Sequence, residues 1–192
     1  MTFNSVIGRA TSWTTDRVSV GDAIDRLLAN GATSLYDAAV AGILQRDPEP
    51  GRRNLMIVFT DGMDTSSWLP DSAAYDLASR TDIVVYGVTT DAAPSSRDTA
   101  LQWRSGIRLS PQQPIVSRAD FLAKLAGETG GQHLRTTTAE LRKTFAQIVA
   151  EFRTRYVLWY RPEGVPATGW HPIDVRLKSS RGRVTARRGY ER

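Results

Sequence analysis

The sequence places a carboxylate at the point where a buried β-strand is expected to end. The stretch TDGMD, residues 60–64, follows a continuous apolar run at 55–59. Such a run is typical of a strand that is buried on both faces of a parallel sheet. Open α/β sheets bind ligands at the carboxyl ends of their strands, and Gly62 lets the chain turn there. Asp61 is therefore predicted to be a ligand or a general base, or alternatively only a turn-forming residue.

A second candidate ligand lies in GATSLYDA, residues 31–38. Thr33 is predicted to lie in a loop just before a helix, and the strand that follows this helix ends at Asp61. Two neighbouring loops at one sheet edge then offer a hydroxyl and a carboxylate. These hard oxygen donors suit Mg²⁺ or Mn²⁺, so the sequence predicts a metal site at Thr33 and Asp61.

Several catalytic sites are excluded by spacing or composition. A phosphatase of the haloacid dehalogenase type needs Asp-x-Asp after its strand, but two residues separate Asp61 from Asp64. An EF-hand loop needs alternating oxygen ligands and a distal Glu, which DGMDTSSWLPD lacks. The chain has no cysteine, and its two histidines, His133 and His171, lack ligand spacing. Thiol nucleophiles and zinc–thiolate sites are thereby ruled out.

The elements that must position these residues alternate between strand and helix, which indicates an α/β fold with a parallel sheet in residues 1–150. The apolar runs at 54–59 and 82–88 are predicted to be adjacent parallel strands. Further strands are predicted at 6–13 and 132–135. Helices are predicted at 17–29, from about 33–37 onwards, and at 71–79, 118–127 and 138–154; the polar stretch 90–117 is a long connection.

The pattern changes in residues 151–192, which we predict to be a β-rich appendage. Three short strands at 155–160, 170–178 and 183–188 indicate a small antiparallel sheet. Its aromatic residues either form the core of that sheet or stack on bases or sugars. This segment carries ten Lys/Arg and four Asp/Glu, a net charge of +6, whereas residues 1–150 have a net charge of −1. The basic segment either binds polyanions or is a solvated strand edge.

At this point the sequence resembles a known family. GATSLYDA followed by LMIVFTDGMD is similar to the second and third metal loops of von Willebrand factor type A (VWA) domains. The run 83–88 resembles the next core strand, and LAGETGGQHL resembles the late helix and glycine turn. RYVLWYRP, GWHPIDVRL and RRGY resemble the tail of bacterial VWFA-related proteins. The resemblance covers nearly the whole chain and implies a doubly wound α/β fold.

The resemblance also implies a ligand set. The metal-ion-dependent adhesion site of VWA domains uses Asp-x-Ser-x-Ser after the first, central strand, a Thr in the second loop and an Asp in the third. Thr33 then corresponds to the loop Thr and Asp61 to the third-loop Asp. No Asp-x-Ser-x-Ser follows any predicted strand, so we expect an N-terminally incomplete fold, truncated or degenerate. We expect weak binding of Mg²⁺ or Mn²⁺, at millimolar affinity or below.

The function implied by the resemblance is binding of a protein or ligand, without catalysis. In the complete family site, the open position of the metal accepts a carboxylate from the partner. The family resemblance favours an exported protein, and no apolar run reaches the ~20 residues of a membrane span. One alternative is a metal-dependent hydrolase centred on Asp61. The other is binding of nucleic acid or another polyanion through Arg181, Arg183, Arg187 and Arg188 together with Trp159 and Trp170, although nucleic acid is not the expected partner.

Overall fold

The structure is a computed structural model that describes residues 1–28, 31–47, 49, 51–61, 63–90, 117–179, 181–182 and 184–192. The predicted connection at 90–117 lies almost entirely outside the described residues, as do Asn30, Gly62 and Arg183. In chain order, the elements are β1 (Thr2–Phe3), β2 (Ile7–Gly8), α1 (Arg17–Asp25), α2 (Leu35–Leu44), β3 (Leu55–Phe59), α3 (Asp71–Ser79), β4 (Val84–Thr90), α4 (Arg118–Thr129), β5 (His133–Thr136), a 3₁₀ turn (Thr138–Glu140), α5 (Leu141–Arg153), β6 (Trp170–Pro172) and β7 (Gly189–Glu191).

A three-stranded parallel sheet in the order β3-β4-β5 lies at the centre of the fold. Leu55 pairs with Val84 at the start of β3, and Gly87 of β4 pairs with His133 of β5. The prediction that the two continuously apolar runs form adjacent parallel strands is confirmed. The α/β class of the chain is therefore established.

Helices cover both faces of this sheet, which explains why its strands are apolar throughout. On one face α2, α3 and α4 enclose the larger core, whose fully buried members include Leu35, Ile43, Val85, Phe121, Leu122 and Leu125. On the other face α5 packs through Ile148 against Tyr86 and Val88. Successive side chains along the strands therefore face helices on alternate sides of the sheet, and the polar residues lie at the strand ends.

The Thr-Gly-Gly sequence at 129–131 ends α4, as predicted. Gly130 is the helix cap and has φ 75°, the left-handed conformation that glycine adopts most readily. A Cβ atom at Gly131 would overlap the carbonyl oxygen of Val85, so only glycine allows the chain to pass this close to β4. These two residues serve packing and chain reversal.

The N-terminal predictions are partly wrong. The predicted strand at 6–13 is reduced to Ile7–Gly8, because the chain reverses at residues 4–6 and pairs β2 with only the two residues of β1. The predicted helix at 17–29 begins at Arg17 under an Asp16 cap but ends at Asp25. None of the residues of α1 is buried, so its apolar side has no partner in the described part of the chain.

The C-terminal strands also differ from the prediction. β6 and β7 pair with each other in antiparallel fashion, with Trp170 opposite Glu191, but residues 155–160 and 184–188 are not strands. The sheet of β6 and β7 has two strands, and 155–160 does not pair with either of them. The aromatic residues Tyr156 and Trp159 are largely exposed, so the expectation that they form a sheet core is wrong.

Arg187 fastens this C-terminal segment to the α/β unit. Its guanidinium group donates to the carbonyl oxygens of Ala78 and Ser79 at the end of α3 and to that of Thr81, at 2.8–3.3 Å. Its Nε donates to the carbonyl of Gly189 at 3.0 Å. A cation at a helix carboxyl terminus is also favoured by the helix dipole. One side chain therefore links α3 to the start of β7.

Replacing Arg187 with Met should destabilise the fold, because the carbonyl groups at the end of α3 lose a charged donor. Hydrogen bonds to charged groups contribute about 1.5–3 kcal/mol, so we expect the free energy of unfolding in urea to fall by about 2 kcal/mol. Arg176→Met is the matched control, since Arg176 is exposed and, among the described residues, forms an ion pair with the nearby Asp174 alone. Equal stability of the two variants would show that Arg187 is not the fastening residue.

Candidate functional site

Asp61 emerges at the carboxyl edge of the parallel sheet. The ladder between β3 and β4 continues to Thr60, whose N–H donates to the carbonyl of Val88 at 3.2 Å. Thr60 is buried and Asp61 is exposed. Among the residues that the structure describes, none forms a hydrogen bond or an ion pair with the Asp61 carboxylate. A negative charge therefore lies at the end of a rigid strand and is available to a ligand.

The loop that contains Thr33 lies along the loop that follows Asp61. The carbonyl oxygen of Thr33 accepts from the N–H groups of Thr65 and Ser66 at 2.8 and 3.2 Å. The N–H of Thr33 donates to the Thr65 hydroxyl at 2.8 Å. The hydroxyl groups of Ser34 and Ser66 are 2.8 Å apart. The structure thus brings the two predicted loops together. That the Thr33 hydroxyl and the Asp61 carboxylate face one shared depression stays a prediction.

Asp64 caps α2 from a distance of almost thirty residues along the chain. Its Oδ1 accepts from the backbone N–H groups of Leu35 and Tyr36 at 2.7 and 3.3 Å, and from the Ser67 hydroxyl at 2.5 Å. Ser34, the residue at the N-cap position itself, forms no capping bond with its side chain. The carboxylate thus accepts from N–H groups of the first helical turn, which have no acceptor within the helix, and the helix dipole favours its charge there.

Asp37, in the first turn of α2, accepts hydrogen bonds from the loop that contains Asp64. Its two carboxylate oxygens accept from the N–H groups of Trp68 and Leu69, each at 2.9 Å. The Ser67 hydroxyl accepts from the N–H groups of Tyr36 and Asp37 at 3.0 and 3.2 Å. The first turn of α2 and residues 64–69 therefore hold each other in place. These hydrogen bonds were not predicted from the sequence, although the run Asp-Thr-Ser-Ser at 64–67 offers four capping side chains.

The donor types at this edge fit a hard cation, and their small number fits weak binding. Within the described ranges, no cluster of three or more His, Cys, Asp or Glu residues could hold a metal ion. A cation here would have the Asp61 carboxylate and the Thr33 hydroxyl as protein ligands, with water in its other positions. Mg²⁺ commonly keeps several waters and uses one or two carboxylates.

The remaining candidates from the sequence have partners inside the fold. His133 is hydrogen-bonded to the Thr89 hydroxyl at 3.0 Å, and burial, followed by the charges of Arg135 and Arg118, lowers its pKa. His171 is buried and stacks on the Tyr190 ring with centroids 5.0 Å apart.

The basic residues of the alternative polyanion site are not all available either. Arg187 holds the end of α3, and Arg188 lies 3.5 Å from the Glu128 carboxylate. Arg181 is exposed. At least two of the four arginines therefore contact residues of their own chain.

Comparison with known proteins identifies no family for the chain. No protein-family profile matches it, and no curated protein is similar to it. A solved structure described as an uncharacterized membrane-spanning protein from Vibrio fischeri is similar at 25% identity, over 72% of this chain and 67% of that one, with a TM-score of 0.38. In the described part of this chain, no helix is both long enough and apolar enough to cross a membrane.

Removing the Asp64 carboxylate should destabilise the carboxyl edge. Loss of a side chain that caps a helix costs about 0.5–2 kcal/mol, and we expect Asp64→Ala to lower the free energy of unfolding in urea by the upper part of that range, since the Leu35 N–H and the Ser67 hydroxyl lose their acceptor and the Tyr36 N–H keeps only Ser67. Asp61→Ala is the control and should change stability by less than about 0.5 kcal/mol. A larger loss from Asp61→Ala than from Asp64→Ala would reverse the roles assigned to these residues.

Tyr36 makes the stability of this edge sensitive to alkali. Burial, together with the charges of Asp64 and Asp71, raises the pKa of Tyr36 to about 12 from an ordinary value of 10.0. The folded state thus favours the neutral phenol, and its contribution to stability is complete below pH 10.0 and is lost as the pH approaches about 12. Urea unfolding at increasing pH should show a smaller loss for Tyr36→Phe than for the unmodified chain. An identical pH dependence would contradict this assignment.

Proposed function

We propose that the chain is a non-catalytic binding module of the VWA type whose ligand binds at the carboxyl edge of the parallel sheet. The observation that carries this proposal is the pairing of two loops there. One contains Thr33, and the other follows Asp61, whose exposed carboxylate has no partner among the described residues. A protein or ligand that offers a carboxylate would bind through a divalent cation at this edge.

The hydrogen bonds that hold the carboxyl edge of the sheet in place support binding of a cation through only two protein ligands. Asp61 follows a strand within a sheet covered on both faces. The neighbouring loop is held by the bonds of Asp64, Ser67 and Asp37. Backbone that is held in its binding geometry before the ligand arrives loses less conformational entropy on binding. A site with one unpaired carboxylate can then bind a ligand through a cation, even though its affinity for the cation is low.

The surroundings of Asp61 support binding more than hydrolysis. A hydrolase would need a second group as general acid or base within hydrogen-bond reach of the reacting atoms. The nearby carboxylates of Asp64 and Asp37 accept bonds from backbone N–H groups. The histidines pair with Thr89 and stack on Tyr190.

The doubly wound arrangement of a VWA domain belongs to the same proposal. β3 pairs with β4 on one side and with no other strand in the described residues. Its residues Leu55 and Ile57 are only partly buried, and Phe59 is 44% exposed. A further strand beside β3 would cover this edge and make β3 an interior strand. The continuous apolar sequence of β3 is typical of such a position.

Cation binding tests the site directly. In an NMR titration with Mg²⁺, amide signals of residues 33–36 and 60–66 should shift with a dissociation constant in the millimolar range or weaker, and Asp61→Ala should abolish the shifts. Asp22→Ala, which removes an exposed carboxylate of α1, should leave them unchanged. Equal shifts in Asp61→Ala would refute the site, and micromolar affinity would show that further ligands complete it.

Acetate serves as the carboxylate probe for the proposed function. The same amide signals should respond to acetate more strongly with Mg²⁺ than without it, and not at all in Asp61→Ala. Hydrolysis of p-nitrophenyl phosphate or p-nitrophenyl acetate with Mn²⁺ should be no faster for the unmodified chain than for Asp61→Ala. Turnover that disappears in Asp61→Ala would replace the binding proposal with the hydrolase alternative.

A further inference from the structure

The segment between α5 and β6 leaves a row of large apolar side chains in solvent. We call residues 156–160, Tyr-Val-Leu-Trp-Tyr, the arm. Their exposed fractions are 93% for Tyr156, 51% for Val157, 70% for Leu158, 84% for Trp159 and 58% for Tyr160. In the described part of the chain, no residue forms a hydrogen bond with the backbone of 156–159. The arm thus combines a composition typical of β-strands with unpaired backbone groups and uncovered side chains.

Both ends of the arm are held by its own molecule. At one end the guanidinium of Arg155 donates to the carbonyl of Gly130 and, at 3.3 Å, to the Tyr86 hydroxyl. At the other end the ring of Tyr160 packs edge-on against Tyr190, with centroids 6.4 Å apart. The arm is therefore fixed beside the C-terminal hairpin.

We propose that the arm pairs in antiparallel fashion with the arm of a second copy of this chain, about a two-fold axis at Leu158. The sequence is complementary to itself in this register, with Tyr156 opposite Tyr160, Val157 opposite Trp159 and Leu158 opposite its own copy. Aromatic pairs and pairs of an aromatic with a β-branched residue are among those that stabilise adjacent strands. An isologous contact of this kind closes as a dimer.

The residues that flank the arm define its length. Pro162 lacks a backbone N–H and ends the ladder on one side, and α5 ends at Arg153 on the other. In the two-fold register Arg155 would oppose Arg161, but the Arg155 side chain is turned inward to Gly130 and is 19% exposed.

The exposed area of the arm sets an upper limit on the contact that the arm alone can form. A buried aromatic side chain covers roughly 150–250 Å², so the exposed fractions of the three aromatics correspond to roughly 350–600 Å² per copy. Val157 and Leu158 add to this area. A standard interface uses about 800 Å² per partner, so the arm alone predicts a reversible dimer that depends on concentration.

Sedimentation equilibrium tests the proposal. The unmodified chain should dimerise over the micromolar range, and Leu158→Lys, which places two like charges at the axis, should weaken the dimer at least tenfold. Trp13→Lys is the matched control, because Trp13 is 76% exposed and lies outside the arm. Circular dichroism of each variant verifies its fold. A chain that is monomeric throughout, or a dimer that is unaffected by Leu158→Lys, would overturn the proposal; in the second case another surface, such as the open side of β3, forms the contact.

The register is tested by disulfide formation, which the absence of native cysteine makes unambiguous. Opposed residues of an antiparallel pair have Cα atoms about 4.5–5.5 Å apart, within the range of a disulfide. Leu158→Cys should therefore give a cross-linked dimer on mild oxidation, and Trp13→Cys should not. Val157→Cys and Trp159→Cys should cross-link when mixed and poorly alone. Cross-linking of Trp13→Cys as fast as Leu158→Cys would show random collision and contradict the pairing.

Discussion

The carboxylate of Asp64 on the first turn of α2 is the contact on which the carboxyl edge depends. It joins a loop that follows a strand to a helix that precedes that strand in the chain, and it satisfies two N–H groups of the helix. The Thr33 carbonyl in turn accepts from the N–H groups of Thr65 and Ser66, in the same loop as Asp64. Asp64 performs this structural task, and Asp61 is exposed at the strand end. The division of work between two carboxylates three residues apart is the basis of the proposed site.

The part of the fold that local sequence patterns specify was predictable. The runs that became β3 and β4 are apolar throughout because helices cover both faces of the sheet, and α3 has the predicted bounds. The wrong predictions concern what each element packs against. The apolar stripe of α1 and the apolar sequence at 156–160 resemble elements that pack, yet both are largely exposed among the described residues. Period alone indicates which residues share a face and does not specify what lies opposite it.

The contact between the two loops was predictable to the same extent. Asp61 and Thr33 were predicted to be ligands because strand ends collect polar groups at one edge of an α/β sheet. The bonds that organise the edge were missed because Asp64, Ser67 and Asp37 act across about thirty residues. Capping rules consider residues next to a helix terminus, and here the adjacent Ser34 makes no capping bond with its side chain. A carboxylate that caps a helix from another loop has no local signature.

Paramagnetic broadening by Mn²⁺ tests most directly whether this edge binds a cation. At low Mn²⁺ concentration, amide signals of residues 33–36 and 60–66 should broaden first, since Thr33 and Asp61 are the proposed ligands. Asp61→Ala should remove this effect, whereas a change at an exposed acidic residue of α1 should not. Broadening that begins elsewhere on the chain, or that persists in Asp61→Ala, would show that this edge is not the cation site.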